Sequence, residues 1–329
     1  MNGSARPLLS LAIYTYNQEH FVKETLDSLL PDSGEEAGGE SEEIWELLKR
    51  TELIVSDDGS SDATPRVVEE WMDRHGHLFA ACGLLREEQN VGPVRNYTRA
   101  VRACSGEIVK PLAGDDLFSL PGVAGAVQEM LSHREVAVLF GQIVPFTDFP
   151  SPEKSVWTEE QRDFFASELS KQFQMLTSFD PLPAPGVFFR RELFELLRLW
   201  EHDFFWMEDW PLWLLATARG YRIHALDLPV VFYRVHPASL SQRMNVKGRD
   251  RVRRGINADR RRMYDEIVFP RMGDLPFLLR HHLRLRRFFF AWLERTEHPG
   301  WVHWVRSFSL LVDPHRVGRK IFGIFRRRA

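Results

Sequence analysis

The sequence predicts an α/β fold with a mostly parallel central sheet, followed by a basic helical region at the C-terminal end. Over the first 120 residues, short apolar runs alternate with segments of helical spacing, as in parallel strands joined by crossover helices. Polar residues follow three of these runs where each ends, and ligands of such sheets bind beyond the carboxyl ends of the strands. With 329 residues, we expect a catalytic domain over residues 1–245 and an Arg- and aromatic-rich helical region over 246–329.

The first elements follow from apolar runs and from residues that end a helix. Residues 8–14 form a continuous apolar run with a β-branched residue, which is typical of a buried parallel strand. Residues 18–30 have helical spacing, and Pro31 ends that helix. The Gly-, Glu- and Ser-rich stretch 32–41 reads as a surface loop, and Ser41 is placed to cap a short helix that follows it.

Further strands and helices alternate along the rest of the chain. Before residue 120 the predicted elements are strands at 53–55, 84–85 and 107–112 and helices at 64–75 and 92–104. Beyond it they are strands at 137–144, 187–190 and 230–234, helices at 191–199 and 208–219, and an irregular or helical stretch at 150–180. The predicted helix at 208–219 is amphipathic, and from about residue 246 the chain reads as helical and basic.

Composition excludes several classes of protein. The net charge of −3 gives no global basicity of the kind that favours nucleic-acid binding. The two cysteines, Cys82 and Cys104, make neither a disulfide framework nor a metal cluster and favour a reduced, cytoplasmic compartment. No run of about 18 apolar residues occurs, so we expect no spanning helix. The apolar run at 8–14 is too short for a signal peptide.

The end of the first strand argues against two classes of nucleotide enzyme. Residues 14–19 contain no glycine, whereas a dinucleotide-binding fold has G-x-G-x-x-G there. A phosphate-binding G-x-x-x-x-G-K-[ST] sequence is also absent from the chain. A sugar-nucleotide pyrophosphorylase would need a Gly-rich loop with a lysine at this point, which the sequence does not supply.

Two pairs of aspartates follow strands. Asp57 is the first residue beyond its strand and could accept hydrogen bonds from a nucleobase or ribose, whereas Asp58 with Gly59 reads mostly as a turn. Asp115 and Asp116 repel each other by about 4 kcal/mol at about 4 Å and an effective dielectric constant near 20. A divalent cation such as Mg²⁺ or Mn²⁺ would offset that repulsion; the alternative is a solvated pair that caps a turn.

Two further groups could carry chemistry. Glu208 and Asp209 lie within an aromatic stretch, and apolar surroundings raise the pKa of a carboxyl group and make it a better base. The alternative is that both are acids favoured at the start of a helix. Strand alternation places Arg234 and His236 on one face, where they could meet a diphosphate and its metal ion or could be ordinary surface residues.

Taken together, these residues resemble the family 2 glycosyltransferases, which have a GT-A fold. The resemblance covers residues 8–243 and rests on six segments that occur in the family's order. They are 9–17, which ends in Thr-Tyr-Asn, 54–62 with Asp-Asp-Gly-Ser, 90–96 with Asn-x-Gly and Arg-Asn, 113–116 at the metal-binding motif, 208–213 with Glu-Asp, and 233–237 with Tyr-Arg-x-His.

The resemblance implies an enzyme that moves one sugar from a nucleoside-diphosphate donor to an acceptor hydroxyl, with inversion and with a divalent cation, Mg²⁺ or Mn²⁺. It implies that Asp209 is the catalytic base and that Asp115 and His236 hold the metal ion. The implied nucleotide-sugar-binding residues are Thr15, Tyr16, Asn17, Glu19, Asp57, Asn90, Arg95, Asp115, Asp116, Glu208 and Arg234.

Two departures from the family pattern qualify these roles. The family often has an aspartate at the position of Ala113, so one ribose contact is expected to be lost. The Q-x-x-R-W element of processive synthases is absent, and so we expect single additions. A catalytically silent module of the same fold that binds a nucleotide sugar is the alternative function.

The resemblance also suggests partners. We expect a donor of the UDP or dTDP type, a glycan or lipid-linked acceptor, and a role in the synthesis of cell-surface polysaccharide or glycoconjugates. The stretches 275–295 and 301–328 combine arginine with large apolar residues, which suits a helix lying on an anionic membrane surface, here the inner face. The alternative is a helical cap packed on the catalytic domain.

Overall fold

One curled sheet runs through the molecule, in a computed structural model that describes residues 6–31, 38–148, 157–237 and 250–295. Its eight strands within this part of the chain follow the order β3-β2-β1-β4-β7-β6-β8-β5. They are β1 Leu9–Thr15, β2 Thr51–Asp57, β3 Ala81–Arg86, β4 Ile108–Ala113, β5 Leu117–Phe118, β6 Val138–Phe146, β7 Val187–Arg190 and β8 Ile223–Arg234. β3, β2, β1 and β4 are mutually parallel, β6 and β8 are parallel to each other, and β7 and β5 run antiparallel to their neighbours.

Helices cover both faces of the sheet. They are α1 Val22–Asp27, α2 Gly38–Leu48, α3 Thr64–His75, α4 Pro93–Ala103, α5 Leu120–Ser132, α6 Glu159–Ala166, α7 Leu169–Ser178, α8 Arg191–Leu197, α9 Trp210–Ala218, α10 Asp250–Met263 and α11 Phe277–Arg295. Short 3₁₀ helices occur at Gly76–Leu78, Ala184–Gly186 and Leu199–Glu201. A π-helical turn, Tyr264–Val268, and a 3₁₀ helix, Phe269–Asp274, join α10 to α11.

Strand register aligns the ends of the three central strands. Thr15 of β1 lies opposite Asp57 of β2, and Tyr14 lies opposite Ala113 of β4. The polar residues that follow these strands therefore come out at one edge of the sheet, as the sequence predicts.

The core lies in two layers separated by the sheet. Successive side chains of a strand point to opposite faces, so Leu11 and Ile13 of β1 join one buried cluster and Ala12 joins the other. The second of these clusters continues into the C-terminal helices, where it includes Met263 and Leu283. Over 250–295 the predicted helical C-terminal region is thus confirmed, with one side packed on the sheet domain. The division at residue 245 stays a prediction.

The predicted bounds of α1, α2 and β8 differ from those in the structure. α1 spans only Val22–Asp27 of the predicted 18–30, and α2 begins at Gly38 rather than after a cap at Ser41. β8 begins at Ile223, seven residues before the predicted start, because it pairs along the whole of β6 across an irregularity at Gly141–Ile143.

The predicted amphipathic helix at 208–219 was wrong in character. α9 starts at Trp210, and every residue from Trp210 to Thr217 is buried. The sheet covers one side, where the ring of Phe140 lies 4.9 Å from that of Trp213, and the Tyr264–Val268 turn covers another. Among the described helices, none combines the length and the apolar character needed to cross a membrane.

Candidate active site

Asp57 is held at the end of β2 by a compact set of hydrogen bonds. Its carboxylate accepts from the Thr15 hydroxyl at 3.2 Å and from both the backbone N–H and the hydroxyl of Ser60, at 2.9 and 2.5 Å. Asp57 and Thr15 are both buried, whereas Tyr16, the next residue along from Thr15, is 44% exposed. The network fixes the orientation of the Asp57 carboxylate beside an exposed aromatic ring.

Hydrogen bonds hold the loop after β1 against the loop after β2. Asn17 has a left-handed φ of 51°; its N–H donates to the Ser60 hydroxyl at 2.8 Å, and its side-chain oxygen accepts from the N–H of Ser61 at 2.9 Å. The Glu19 carboxylate accepts from the N–H of Ala63 at 2.8 Å. Asn17 and Glu19 therefore shape the loops that frame Asp57.

Asp58 does more than form a turn. Gly59 does have the positive φ of 69° that the turn needs, but the Asp58 carboxylate is buried and accepts from the N–H groups of Val91 and Gly92 at 2.8 and 3.0 Å. Burial raises the pKa of Asp58, and these two hydrogen bonds act in the opposite direction. Asp58 thus anchors the loop that leads into α4, a role that the Asp-Gly pattern alone did not indicate.

Two side chains of α4 tie this helix to the strand ends. The Asn96 amide donates to the carbonyl of Thr15 at 3.1 Å, and the Arg99 guanidinium donates to the Ser56 hydroxyl at 2.9 Å and to the Asp57 carbonyl at 2.6 Å. Sequence reasoning missed Arg99, although its three-residue spacing from Asn96 puts both on one helix face. Asn90 and Arg95 are exposed, and neither side chain joins this network.

Asp115 and Asp116 are not equivalent. The side chain of Asp115 is 14% exposed, and its carboxylate lies 3.0 Å from Nε2 of His236. Asp116 is 1% exposed and accepts from the backbone N–H of Arg234 at 2.8 Å. Burial raises the pKa of Asp116 well above its ordinary value, and the charge of Asp115 adds to that rise. The hydrogen bond from Arg234 therefore offsets part of the repulsion for which the sequence suggested either a cation or a solvated turn.

Arg234 joins three parts of the site. Its Nε–H donates to the carbonyl of Asp115 at 2.9 Å and its Nη2 donates to Glu24 at 2.6 Å. The guanidinium lies between the rings of Phe21 and Phe146, at 5.2 and 4.6 Å from their centroids. β8 ends at Arg234, so the predicted strand alternation does not extend to His236, yet both residues reach Asp115.

The described residues contain no group of three or more His, Cys, Asp or Glu side chains arranged to hold a metal ion. Asp115 and His236 supply two donor atoms, a carboxylate oxygen and an imidazole nitrogen, at 3.0 Å from each other.

Glu208 and Asp209 directly precede α9. Asp209 accepts from the N–H of Trp210 at 2.7 Å and caps the helix. Burial raises the pKa of Glu208 to about 8, and the charge of Asp209 adds to this rise. Burial also raises the pKa of Asp209, whereas the hydrogen bond from Trp210 and the positive charge of Arg260 lower it. Both residues are half-buried.

Tyr14 links the two acidic groups. Its ring meets that of Tyr97 edge-on with centroids 5.6 Å apart. Burial raises the pKa of the Tyr14 hydroxyl well above its ordinary value, and the charges of Glu208, Asp116 and Asp115 raise it further. Glu208 and the aspartate pair are therefore all close enough to Tyr14 to act on its hydroxyl.

The C-terminal helix α10 holds the segment before Glu208. The Asp259 carboxylate accepts from the N–H groups of Phe205 and Trp206 at 3.1 and 2.6 Å. Gly255 packs so closely that a Cβ there would lie 2.1 Å from Nε1 of Trp206. Sequence reasoning missed Asp259 because its partners are more than fifty residues away, and no local pattern marks the contact.

Asp180 is a third carboxyl group, close to Asp209. Its carboxylate accepts from the N–H of Leu182 at 2.9 Å. Burial raises the pKa of Asp180 well above its ordinary value, and the charge of Asp209 contributes to the rise. This residue also escaped the sequence analysis, since it lies in a loop with no recognisable motif.

Solved structures share the fold. S. aureus TarS, determined in complex with UDP-GlcNAc, matches with a TM-score of 0.54 and 16% identity over 86% of this chain and 72% of that chain. The mannosyltransferase PcManGT from Pyrobaculum calidifontis, in complex with GDP-Man and Mn²⁺, matches with a TM-score of 0.52 and 19% identity over 96% and 84%. These likenesses confirm the predicted GT-A fold.

Relatives in sequence cover part of the chain. The uncharacterized protein Rv1520 of Mycobacterium tuberculosis is 30% identical over 133 residues, which are 40% of this chain and 34% of that protein. The uncharacterized glycosyltransferase EpsJ of Bacillus subtilis is 25% identical over 244 residues, 72% of this chain and 63% of its own length. The model of the family described as "Glycosyl transferase family 2" matches residues 10–197. Because that match spans more than half of the chain, this protein belongs to glycosyl transferase family 2.

Proposed function

We propose that the protein transfers a single sugar from a nucleoside-diphosphate donor to an acceptor hydroxyl, with inversion at the anomeric carbon. The observation that carries this proposal is the arrangement around Tyr14 and Tyr97, whose rings are in contact: Glu208 and the Asp115–Asp116 pair act on the Tyr14 hydroxyl, and Glu208 and Asp209 act on that of Tyr97. Such a site can accept a proton on one side and hold a diphosphate on the other. The solved neighbours with UDP-GlcNAc and with GDP-Man support a nucleotide-sugar donor.

The donor nucleoside is assigned to the ends of β1 and β2. Asp57, fixed by Thr15 and Ser60, would accept hydrogen bonds from the base or ribose, and the exposed ring of Tyr16 would lie against the nucleoside. Arg234 is placed to counter the charge of the diphosphate, since its guanidinium contacts the backbone of Asp115. A UDP- or dTDP-type donor remains our expectation.

Asp209 is proposed as the base. It takes the proton of the acceptor hydroxyl, whose oxygen forms the new bond to the anomeric carbon while the bond to the diphosphate breaks. With a pKa of about 8, Glu208 stays protonated at neutral pH, so the pair carries its negative charge on Asp209. One carboxylate base is sufficient for direct displacement with inversion.

A divalent cation, Mg²⁺ or Mn²⁺, would be held by Asp115 and His236 together with phosphate oxygens and water. Mg²⁺ in phosphate-transfer sites is commonly bound by only one or two protein carboxylates, and imidazole is an additional ligand for transition metals. The partly exposed Asp115 fits this donor set, whereas Asp116 is buried and engaged by Arg234. The bound cation would neutralise charge on the leaving nucleoside diphosphate.

A thermal-shift screen of nucleoside diphosphates with and without Mn²⁺ tests donor binding, because a ligand that binds only the native state raises its stability. We expect one pyrimidine nucleotide to raise the Tm more strongly with Mn²⁺ and Asp57→Asn to reduce that shift. Arg74→Asn, on the exposed surface of α3, is the control. If none of the nucleotides shifts the Tm of the wild type, the proposal fails.

We further propose a peripheral position at the inner face of the membrane, near a glycan or lipid-linked acceptor. α11 has an exposed stripe at helical spacing that combines apolar and basic side chains, namely Phe277, Leu278, His281, Arg284, Leu285 and Phe288. The residues from Trp301 to Arg328, on which the membrane prediction also rested, lie outside the described part of the chain.

Vesicle flotation of point variants tests this position. Removing the chain from Leu275 onward would open the core, since Leu275, Leu279 and Leu283 are buried. The combined Leu285→Ser and Phe288→Ser variant leaves that buried side intact. We expect it to float less than the wild type with anionic vesicles, and equal flotation would count against the membrane proposal.

A further inference from the structure

A cleft of about 340 Å³ lies between α4 and the segment 200–204. This size falls within the range of small-molecule binding clefts. One wall is formed by α4 through Val94, Arg95, Thr98, Arg99 and Arg102, and the other by Trp200, Glu201, His202, Asp203 and Phe204. Nothing in the donor chemistry proposed above uses this cleft.

The cleft presents positive charge. Its two acidic residues are engaged by arginines outside it, Glu201 by Arg198 at 2.8 Å and Asp203 by Arg262 at 3.3 Å. Among the described residues, Arg95 and Arg102 form no ion pair with a carboxylate. Seven residues separate them, which is about 10 Å along the helix axis. Two arginines are thus available along one side of the cleft.

Two neutral side chains add features of a binding site. The Arg102 guanidinium lies 4.8 Å from the centroid of the Trp200 ring, a cation–π contact that holds the charged group at the wall of the cleft. A guanidinium can bind a phosphate group through two N–H groups at once. Beneath it, the buried hydroxyl of Thr98 has no hydrogen-bond partner within the described structure. A buried polar group without a partner is uncommon in folded proteins, and a bound anion would supply one.

The chain segment that forms the far wall of the cleft continues to Glu208 and to the proposed base, Asp209. Phe204 is followed by Phe205, which packs so tightly over Gly92 at the start of α4 that a Cβ there would lie 2.6 Å from its ring. Three residues further on come Glu208 and Asp209. Burial raises the pKa of Tyr97 on α4, and the charges of Glu208 and Asp209 raise it further, so these two carboxyl groups also lie close to the helix that forms the other wall.

We propose that this cleft binds a phosphate group carried by the acceptor, with Arg102 and Arg95 as its ligands and the Thr98 hydroxyl as a further donor. The inference rests on the proposed function, because it names the acceptor of that same reaction. Arg95, which the resemblance assigned to the donor, is thereby given to the acceptor side. The enzyme would select a phosphorylated acceptor over the same sugar without phosphate.

Isothermal titration of the full chain tests the proposal with glucose 1-phosphate as the probe. The donor site is first saturated with the nucleotide that gives the largest thermal shift, so that the probe cannot occupy it. We expect glucose 1-phosphate to bind and glucose to show no binding at the same concentration. Arg102→Gln should weaken binding of the phosphate at least about tenfold, since a charge-assisted hydrogen bond is lost, and Arg102→Lys should weaken it less. Arg74→Gln, an equal charge change on α3, should leave it unchanged.

A second arm uses a polyprenyl phosphate in detergent micelles, because the same phosphate could belong to a lipid. Binding of either phosphate that falls with Arg102→Gln supports the proposal, and the arm that binds identifies the source. Binding that is equal in Arg102→Gln and the wild type overturns it, as does the absence of binding in both arms. The nucleotide titration separates the two claims: a wild type that binds nucleotide but neither phosphate retains the proposed function and loses this inference.

Discussion

Replacing Asp259 with alanine tests whether α10 holds the segment that carries the proposed base. The Asp259 side chain is 3% exposed, and its carboxylate accepts from two backbone N–H groups, of Phe205 and Trp206, at 3.1 and 2.6 Å. Alanine removes Oδ2, which accepts both hydrogen bonds, and leaves the two donors without this partner. The segment would then be free to shift at its anchored end.

The size of the effect follows from these contacts. Hydrogen bonds to a charged group contribute about 1.5–3 kcal/mol each, so the two together are worth about 3–6 kcal/mol. Burial raises the pKa of Asp259, which means that its removal also relieves an unfavourable desolvation. Phe205 is 43% exposed, so water can replace part of what is lost. We expect a net loss of about 2–4 kcal/mol in the free energy of unfolding for Asp259→Ala, and about 1 kcal/mol for Asp259→Asn, which keeps an acceptor oxygen.

Denaturant unfolding measures the stability, and transfer or donor hydrolysis measures kcat. A displacement of the base by about 1 Å lowers kcat by about 100-fold, while nucleotide affinity should change little because Asp57 lies at the other side of the site. Asp265→Ala is the control: it removes the paired contacts with Arg287, at 2.9 and 3.0 Å, without touching the 205–209 segment. An Asp259→Ala enzyme with the kcat of the wild type, or one no slower than Asp265→Ala, would refute the reasoning.

Two further predictions concern pH. Burial lowers the pKa of Lys110 to about 7 from 10.5, so between pH 7 and 10.5 the unfolded chain holds a proton that the native protein lacks, and stability rises with pH. Urea unfolding of the wild type should show a gain in stability from this lysine of up to about 5 kcal/mol between pH 7 and 10.5, and Lys110→Met should abolish it. Equal pH dependence in the two proteins would contradict the assignment. Burial raises the pKa of Glu208 from 4.5 to about 8. Between pH 4.5 and 8 the native protein therefore keeps a proton on Glu208 that the unfolded chain has lost, and the stability falls as pH rises. Glu208→Gln should therefore be more stable than the wild type above pH 8, by about 2–4 kcal/mol, and equally stable near pH 4. A variant that is less stable than the wild type at both pH values would show that the native structure favours the ionised carboxylate.

The features predicted well from the sequence are those that local patterns encode. Apolar runs specify the strands of the parallel half of the sheet, and their register brings Thr15 opposite Asp57. The ordered motifs predicted the family, which the match over residues 10–197 confirms. Asp115 and Asp116 follow β4, as the motif order implied, and Asp115 contacts His236. The roles of these residues in binding and catalysis stay predictions.

What the sequence did not predict depends on contacts between distant segments. Asp259 and Arg260 belong to an arginine-rich helix with no motif, and only the packing of α10 on the 205–209 segment gives them a place beside Asp209. Asp58 looked like a turn residue because the Asp-Gly pattern is common, and its two N–H donors lie more than thirty residues further along. The buried character of α9 likewise comes from distant segments, since β6, α7 and the Tyr264–Val268 turn all pack on it.

Asp209 is proposed as the base of a sugar transfer from a nucleotide sugar. Asp209→Asn keeps a side-chain oxygen that can accept from the N–H of Trp210, so the cap of α9 is retained, and it removes only the charge. The direct measurement is the rate of nucleoside-diphosphate release from the nucleotide sugar that binds best, for the wild type and for Asp209→Asn at equal donor occupancy. We predict a fall in kcat of about 10²–10⁴-fold with the donor Kd unchanged. Equal rates for the two proteins would contradict the assignment, and a wild type that binds the nucleotide sugar without turning it over would indicate a binding module instead.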